Sequence, residues 1–202
     1  MEKPRLTYFD LAGSRGEECR LALHLAGVSF EDRRLNREQW GELKPTMPYG
    51  SIPVLELPGR LPLAHTNAIL VYLGRQHELH PKDDFEAARH EGLMNHVEDL
   101  RAHVGPSLRI GDPAEKQRVR EELARDYLPK WAGYAERHLG DGPFVAGERL
   151  HVVDLKLFIA VRWFASGTVD HIPSTVFSDF RKLTGVYEAV KAEPRVVAWY
   201  AR

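Results

Sequence analysis

Near residue 81 the periodicity of the sequence changes, and that change limits the folds open to the chain. Before it, strand-like and helix-like runs take turns. "RLTYFD" is rich in aromatic and β-favouring residues. "GEECRLALHLAG" sets Cys19, Leu21, Leu23 and Ala26 at helical spacing and stops at Gly27, a residue suited to ending a helix. "VSFEDRRL" alternates as a strand with one wet face does, and "REQWGELK" is a short helix closed by Pro45 and Pro48. "SIPVLEL" and "PGRLPLA" read as two strands joined at Pro58-Gly59, and "HTNAILVYLGRQ" as a helix starting near His65 or Thr66. The order is β-α-β-α-β-β-α. After Pro81 only helical patterns remain, and one of them, "VVDLKLFIAVRWFASG", is apolar on nearly all sides and predicts a central, buried helix. An α/β segment followed by an all-α segment predicts two packed domains, residues 1–77 and 84–202, joined at "HELHPKDD".

The totals exclude several classes of function. A formal net charge of −1 leaves no electrostatic footprint for nucleic acid or an anionic membrane. The single cysteine, Cys19, rules out a disulfide framework and suits a reducing compartment. "MEKPRLTYF" has no apolar stretch behind a basic flank and does not read as a signal peptide. No apolar run approaches the roughly 18 residues a membrane-spanning helix needs. The expectation is a soluble, cytoplasmic protein.

Three features of the first domain suit a ligand. The turn "AGSRG" between the first strand and first helix lifts backbone N–H groups toward an anion, and Arg15 adds a formal charge. Read alone, the same residues are also an ordinary turn with a surface arginine. Ile52-Pro53 opens a strand where proline costs no ladder hydrogen bond. A cis bond there would turn the Ile52 backbone outward to pair with an extended peptide, although only about one X–Pro bond in twenty is cis. Thr66, at a helix start, is an N-cap that can equally receive a carboxylate. The histidines His77, His80, His90, His96 and His103 show no tight i, i+4 pair with a carboxylate, so no metal site is expected.

Together "LTYFDLAGSRGE", Trp40 with Lys44, "MPYGSIPVLEL" and "AHTNAILVYL" resemble the cytosolic glutathione transferases. The similarity is greatest to the sigma class, which includes the glutathione-dependent prostaglandin D synthases. It is close over residues 5–76 and looser but collinear afterwards, through "VEDL" and "GPFVAGERLHVVDLKLF". The resemblance implies an α/β thioredoxin-like N-terminal domain plus an all-α C-terminal helical domain, the architecture the periodicity gave independently. It implies that glutathione is co-substrate and a small, mostly apolar electrophile the acceptor, in a detoxifying transferase that works as a homodimer. By the same resemblance, the Tyr8 hydroxyl stabilises the glutathione thiolate, and Arg15, Trp40 and Lys44 line the peptide or contact its glycyl carboxylate. Ile52, between Ser51 and a cis Pro53, pairs with the cysteinyl backbone; His65 and Thr66 hold the γ-glutamyl end. Asp99 reaches the glutathione of the partner subunit.

Three residues depart from the family pattern. The first turn carries one extra residue, which leaves two registers for Ser14 and Arg15. Ser14 is the rival donor to the sulfur, since other classes of the family use a serine or cysteine there. His65 replaces a glutamine and brings one fewer donor and a pH-dependent charge. His151 stands where Ser or Thr normally caps the buried helix, so only the Asp154 half of that capping box is retained. Cys19 reads as a small buried hydrophobe. The acceptor pocket is expected among Leu11, His103, Leu108 and the C-terminal aromatics.

Overall fold

The computed structural model of the chain describes residues 3–202. A four-stranded sheet of order β2-β1-β3-β4 is built from β1 (Arg5–Phe9), β2 (Glu31–Leu35), β3 (Val54–Glu56) and β4 (Leu63–Ala64). β1 and β2 are parallel, with Tyr8 opposite Arg34, and are joined through α1 (Ser14–Leu25). β3 runs antiparallel to β1, with Thr7 opposite Val54, and forms a hairpin with β4. β1 and β3 are bonded on both sides, and in β1 Leu6, Thr7 and Tyr8 are all buried, so that its residues do not alternate. α3 (Thr66–Gln76) packs against α1, β3 and β4, while α2 (Arg37–Leu43) follows β2. α2 is opened by a capping box in which Asn36 and Gln39 satisfy each other's backbone N–H groups at 2.9 Å.

The helical part holds α4 (Asp84–Val104), α5 (Pro113–Glu122), α6 (Leu128–Glu136), α7 (Val152–Ala165), α8 (Arg181–Ala192) and α9 (Pro194–Tyr200). α7 is buried continuously from Val152 to Val161 and packs against α1, α3, α4 and α8, the central position its all-round hydrophobicity predicts. Two polar residues, Asp154 and Lys156, go into the interior with it.

Two local differences from the sequence reading have physical causes. The helix expected from Gly16 begins at Ser14, whose φ of 60° lets the chain turn sharply out of β1. The helical period of residues 114–140 is interrupted by a wide π-turn, Leu123–Tyr127, in which Leu128 N–H bonds back to Leu123 O. Pro129, which has no N–H to give, follows at once, and the π-turn absorbs the missing bond. Among the described residues no helix is long and apolar enough to cross a membrane.

Candidate active site

Tyr8 lies on a central strand with its ring against the first turn of α1, and it is 5% exposed. Its hydroxyl donates to Ser14 Oγ at 3.2 Å. Burial raises the phenol's pKa above its ordinary value, while the Ser14 bond and the Arg15 and Arg101 guanidinium groups oppose that rise. The hydroxyl thus stays protonated at neutral pH, with two guanidinium groups nearby and the Glu18 carboxylate opposing them. The turn that carries it is fixed from beneath by Arg20. This fully buried guanidinium donates to Leu11 O (2.8 Å), Phe9 O (3.0 Å) and Asp32 (3.0 Å). Nothing in the periodicity marked Arg20; a charged residue inside the apolar run from Cys19 to Leu23 is the signal that could have found it.

Ser14 and Arg15 open onto a cleft between the two domains, a cavity of about 640 Å³ whose wall includes Leu11, Arg101, Leu108 and Trp163. A smaller cavity of about 250 Å³ continues behind Leu11 toward Arg162, Ser166 and Thr168. Of the residues expected to line an acceptor pocket, Leu11 and Leu108 line the larger cavity. His103 does not: its ring stacks on Tyr127 with centroids 3.8 Å apart and takes no part in the lining. A helix face turned by one residue places Ala102 there instead.

Behind the cleft runs a network of charges that the sequence reading missed. Arg15 Nη2 meets Glu98 Oε2 at 2.6 Å, and Glu98 Oε1 accepts from Lys156 (2.5 Å) and Arg101 (3.0 Å). Arg101 and Lys156 both also bind the fully buried Glu18. Burial alone would raise the Glu98 carboxyl, but Lys156, Arg101 and Arg15 overcome it and hold it at about 2. Of the acidic pair in "VEDL", Glu98 is therefore the one that reaches Arg15, while Asp99 is exposed on α4 and near Tyr127. Glu98 and Arg101 are an i,i+3 pair, but α1, α4 and Lys156 of α7 are too far apart in the chain for spacing to connect them.

The remaining residues singled out from sequence lie along the sheet edge. Trp40 stands edge-on to Phe9, which stands edge-on to Tyr8. Lys44 is exposed just after α2, and the backbone there approaches Gly50. The Ile52-Pro53 bond is cis, with Ser51 and Ile52 half-buried and Pro53 buried. His65 caps α3 with a φ of 66°, exposed and stacked on Tyr49 at 4.8 Å between centroids. Thr66 is buried, and its Oγ1 has no hydrogen-bond partner. Cys19 is buried in the core, and burial with the nearby Glu18 pushes its thiol up, away from reactivity. Among the described residues no group of three His, Cys, Asp or Glu is arranged to hold a metal ion.

A thioredoxin-like sheet ending in a hydroxyl-bearing turn, joined to a helical domain across a cleft, defines a class of two-domain proteins. The family models for the N-terminal and C-terminal domains of glutathione S-transferase match residues 4–75 and 98–202. "Glutathione S-transferase 1" of Ascaris suum is 33% identical over 206 residues, covering 100% of this chain and 97% of the relative. "Hematopoietic prostaglandin D synthase" of Gallus gallus is 28% identical, covering 98% of this chain and 96% of the relative. Among solved structures, the glutathione S-transferase from Ascaris lumbricoides is 34% identical with a TM-score of 0.86, covering 99% of this chain and 97% of that one. The chain belongs to the glutathione S-transferase family. Within that family its likeness is to the sigma-class-like group.

Proposed function

We propose that the protein is a cytoplasmic, homodimeric glutathione transferase in which Tyr8 holds the glutathione sulfur as a thiolate for attack on small, mostly apolar electrophiles. Residues 1–77 form the glutathione-binding domain in this reading, and residues 84–202 complete the acceptor site. The observation that carries it is the Tyr8 hydroxyl, desolvated, protonated and facing the helix-start turn of Ser14 and Arg15. A free thiol with a pKa near ~8.5 is only a few per cent ionised at neutral pH. Lowering it by two units needs about 2.7 kcal/mol of differential stabilisation. A charge-assisted hydrogen bond supplies about 1.5–3 kcal/mol, and the N-terminus of α1 adds to it. The thiol proton leaves to solvent. The sulfur lone pair then forms the S–C bond, and in a substitution the leaving group departs with the electron pair of the bond that breaks.

The rest of the site is assigned on chemistry. Thr66 Oγ1, buried and unpaired, together with the N–H groups at the start of α3, suits the γ-glutamyl carboxylate, with His65 alongside. The Ile52 backbone beside cis Pro53 and next to Ser51 suits the cysteinyl amide. Lys44, Trp40 and Arg15 suit the glycyl end. Asp99, exposed on α4, is free to reach a partner subunit, and exposed Tyr49 and Phe85 are apolar rings a second copy would cover. Sedimentation should return twice the 23.0 kDa chain mass.

Turnover of a chloroaromatic electrophile with glutathione tests the assignment. Tyr8→Phe should lower kcat at least tenfold (about 1.4 kcal/mol in the barrier) with glutathione affinity changed less than threefold. Loss in Ser14→Ala with Tyr8→Phe normal would move the donor role to Ser14. Calorimetry showing no saturable heat with millimolar glutathione would reduce the protein to a scaffold of the same fold.

A further inference from the structure

Away from the cleft, three imidazoles meet where the two domains are joined. His80 lies in the connector between α3 and α4, His90 on α4, and His151 immediately before α7. None is more than 8% exposed. The His90 ring stands edge-on to both neighbours, with centroids 6.1 Å from His80 and 5.2 Å from His151. Neither ring nitrogen of His90 has a hydrogen-bond partner, nor has Nδ1 of His151. His80 has only a 3.5 Å approach of Nε2 to Glu91 Oε1. Three imidazole rings are thus packed together in the interior, with no acceptor bonded to either nitrogen of His90 or to Nδ1 of His151.

The same place carries the main-chain tie between the domains. Val152 N–H, in the first turn of α7, donates to Leu79 O at 2.8 Å, and Leu79 N–H donates to Gly74 O at the end of α3. A Cβ at Gly74 would come within 2.9 Å of His80 Cβ, so the connector is seated directly on α3. The backbone of the connector at His80 is therefore held close against α3.

We propose that the His80–His90–His151 cluster is a proton-operated latch on the domain junction: neutral rings keep the connector closed on the start of α7, and protonation releases it. The groups that face the cluster give a counter-charge to His80 alone, through Glu91 at 3.5 Å from its Nε2, and none is bonded to a ring nitrogen of His90. They are Arg75 from α3, Glu86, Arg89 and Glu91 from α4, Arg137 and His138 after α6, Arg149 from the loop ahead of α7, and Asp154 from α7. Arg75 already shares Glu91, and Arg89 already holds Glu86. On the connector itself Glu78 is paired with Lys82 and Arg149. Burial, followed by the neighbouring rings and Arg89, lowers His90 to about 4; burial and Arg149 lower His151 to about 4. Burial lowers His80 as well, against the pull of Glu91.

The sign follows. The open junction takes up protons near the ordinary histidine value of 6.5 and the closed one only near 4, so closure is favoured above that window and lost as pH falls through it. At pH 5 each such ring weights the open form about thirtyfold more than at neutral pH. Asp154 titrates in the opposite sense, since burial raises its carboxyl to about 7 in the closed form. It is kept in every variant compared below.

The test is amide hydrogen exchange of the full chain at pH 7.5 and pH 5, corrected for intrinsic exchange rates. Relative to the double variant His90→Gln, His151→Gln, in which the contribution of Asp154 cancels, wild type should lose at least thirtyfold more Val152 protection on going from pH 7.5 to pH 5, while Val190 in the core of α8 behaves alike in both. An equal change in wild type and variant, or a difference shared by Val190, would overturn the latch. Should the variant not fold, titration of the wild-type imidazole resonances decides. Midpoints well below 6.5 that coincide with the loss of Val152 protection uphold the proposal, and ordinary midpoints refute it.

Discussion

A methyl group at position 16 would lie 2.0 Å from Tyr8 Cδ1 and 2.3 Å from Cγ, so the placement of the phenol depends on a residue with no side chain. Gly16 belongs to the first turn of α1 and lets the ring lie flush on that turn, its hydroxyl level with Ser14. Gly16→Ala must push either the ring or the helix start aside. We predict a cost of about 1–3 kcal/mol in stability, read from the urea midpoint, and a loss of turnover similar to that of Tyr8→Phe. Turnover equal to wild type would show that the ring position is not what the reaction needs. The motif "LTYFDLAGSRGE" singled out Tyr8, Ser14 and Arg15 through its resemblance to a known family, with the register of Ser14 and Arg15 left open by one residue. Gly16 looked like turn chemistry alone, since its function is a distance to a ring eight residues back, across a strand and a turn.

At the scale of an element, α7 shows how a buried helix is started with half its usual cap. Asp154 accepts the His151 N–H and the Val145 N–H, both at 2.7 Å, while the His151 side chain leaves Nδ1 unpaired. The sequence made this half-box visible, as His151 and Asp154 have the spacing of a capping box and imidazole replaces the hydroxyl. It did not show that Val145, from the preceding loop, is tied to the same carboxylate. Asp154→Ala would leave both N–H groups buried and unpaired. The expected loss is about 2–4 kcal/mol, measured by denaturant unfolding, with faster exchange over residues 143–153. The interruption between α5 and α6 belongs to the same scale. Helical period runs unbroken through residues 114–140, and the π-turn ahead of Pro129 had to be seen in three dimensions.

For the whole molecule, the joint between domains is electrostatic at its centre. Glu18 comes from α1, Glu98 and Arg101 from α4, and Lys156 from α7, and the Lys156–Glu18 pair lies wholly inside the protein. Such a pair contributes little against an apolar replacement of both partners, but removal of one leaves a buried charge uncompensated. We therefore predict that Lys156→Met destabilises by about 3–5 kcal/mol and that adding Glu18→Gln recovers part of the loss. A double-variant cycle in urea measures the coupling, and additive losses would refute it. Glu98, held at about 2 in the folded chain, adds a term in the same direction at low pH. Its stabilisation is present above the ordinary carboxylate range and is lost as pH falls toward 2. Activity should fall with it, because Arg15 faces the cleft through Glu98.

By itself the sequence determined the order of strands and helices, the change to an all-helical second part, the burial of α7 and the hydroxyl-bearing turn. All of these are written in local periods of two or 3.6 residues, in turn residues and in short motifs. Only the tertiary structure decided which acidic residue faces Arg15, where His103 points, why position 16 is glycine and how three distant histidines share one interior. Each of those depends on contacts between segments tens of residues apart, and distances of that kind have no period along the chain.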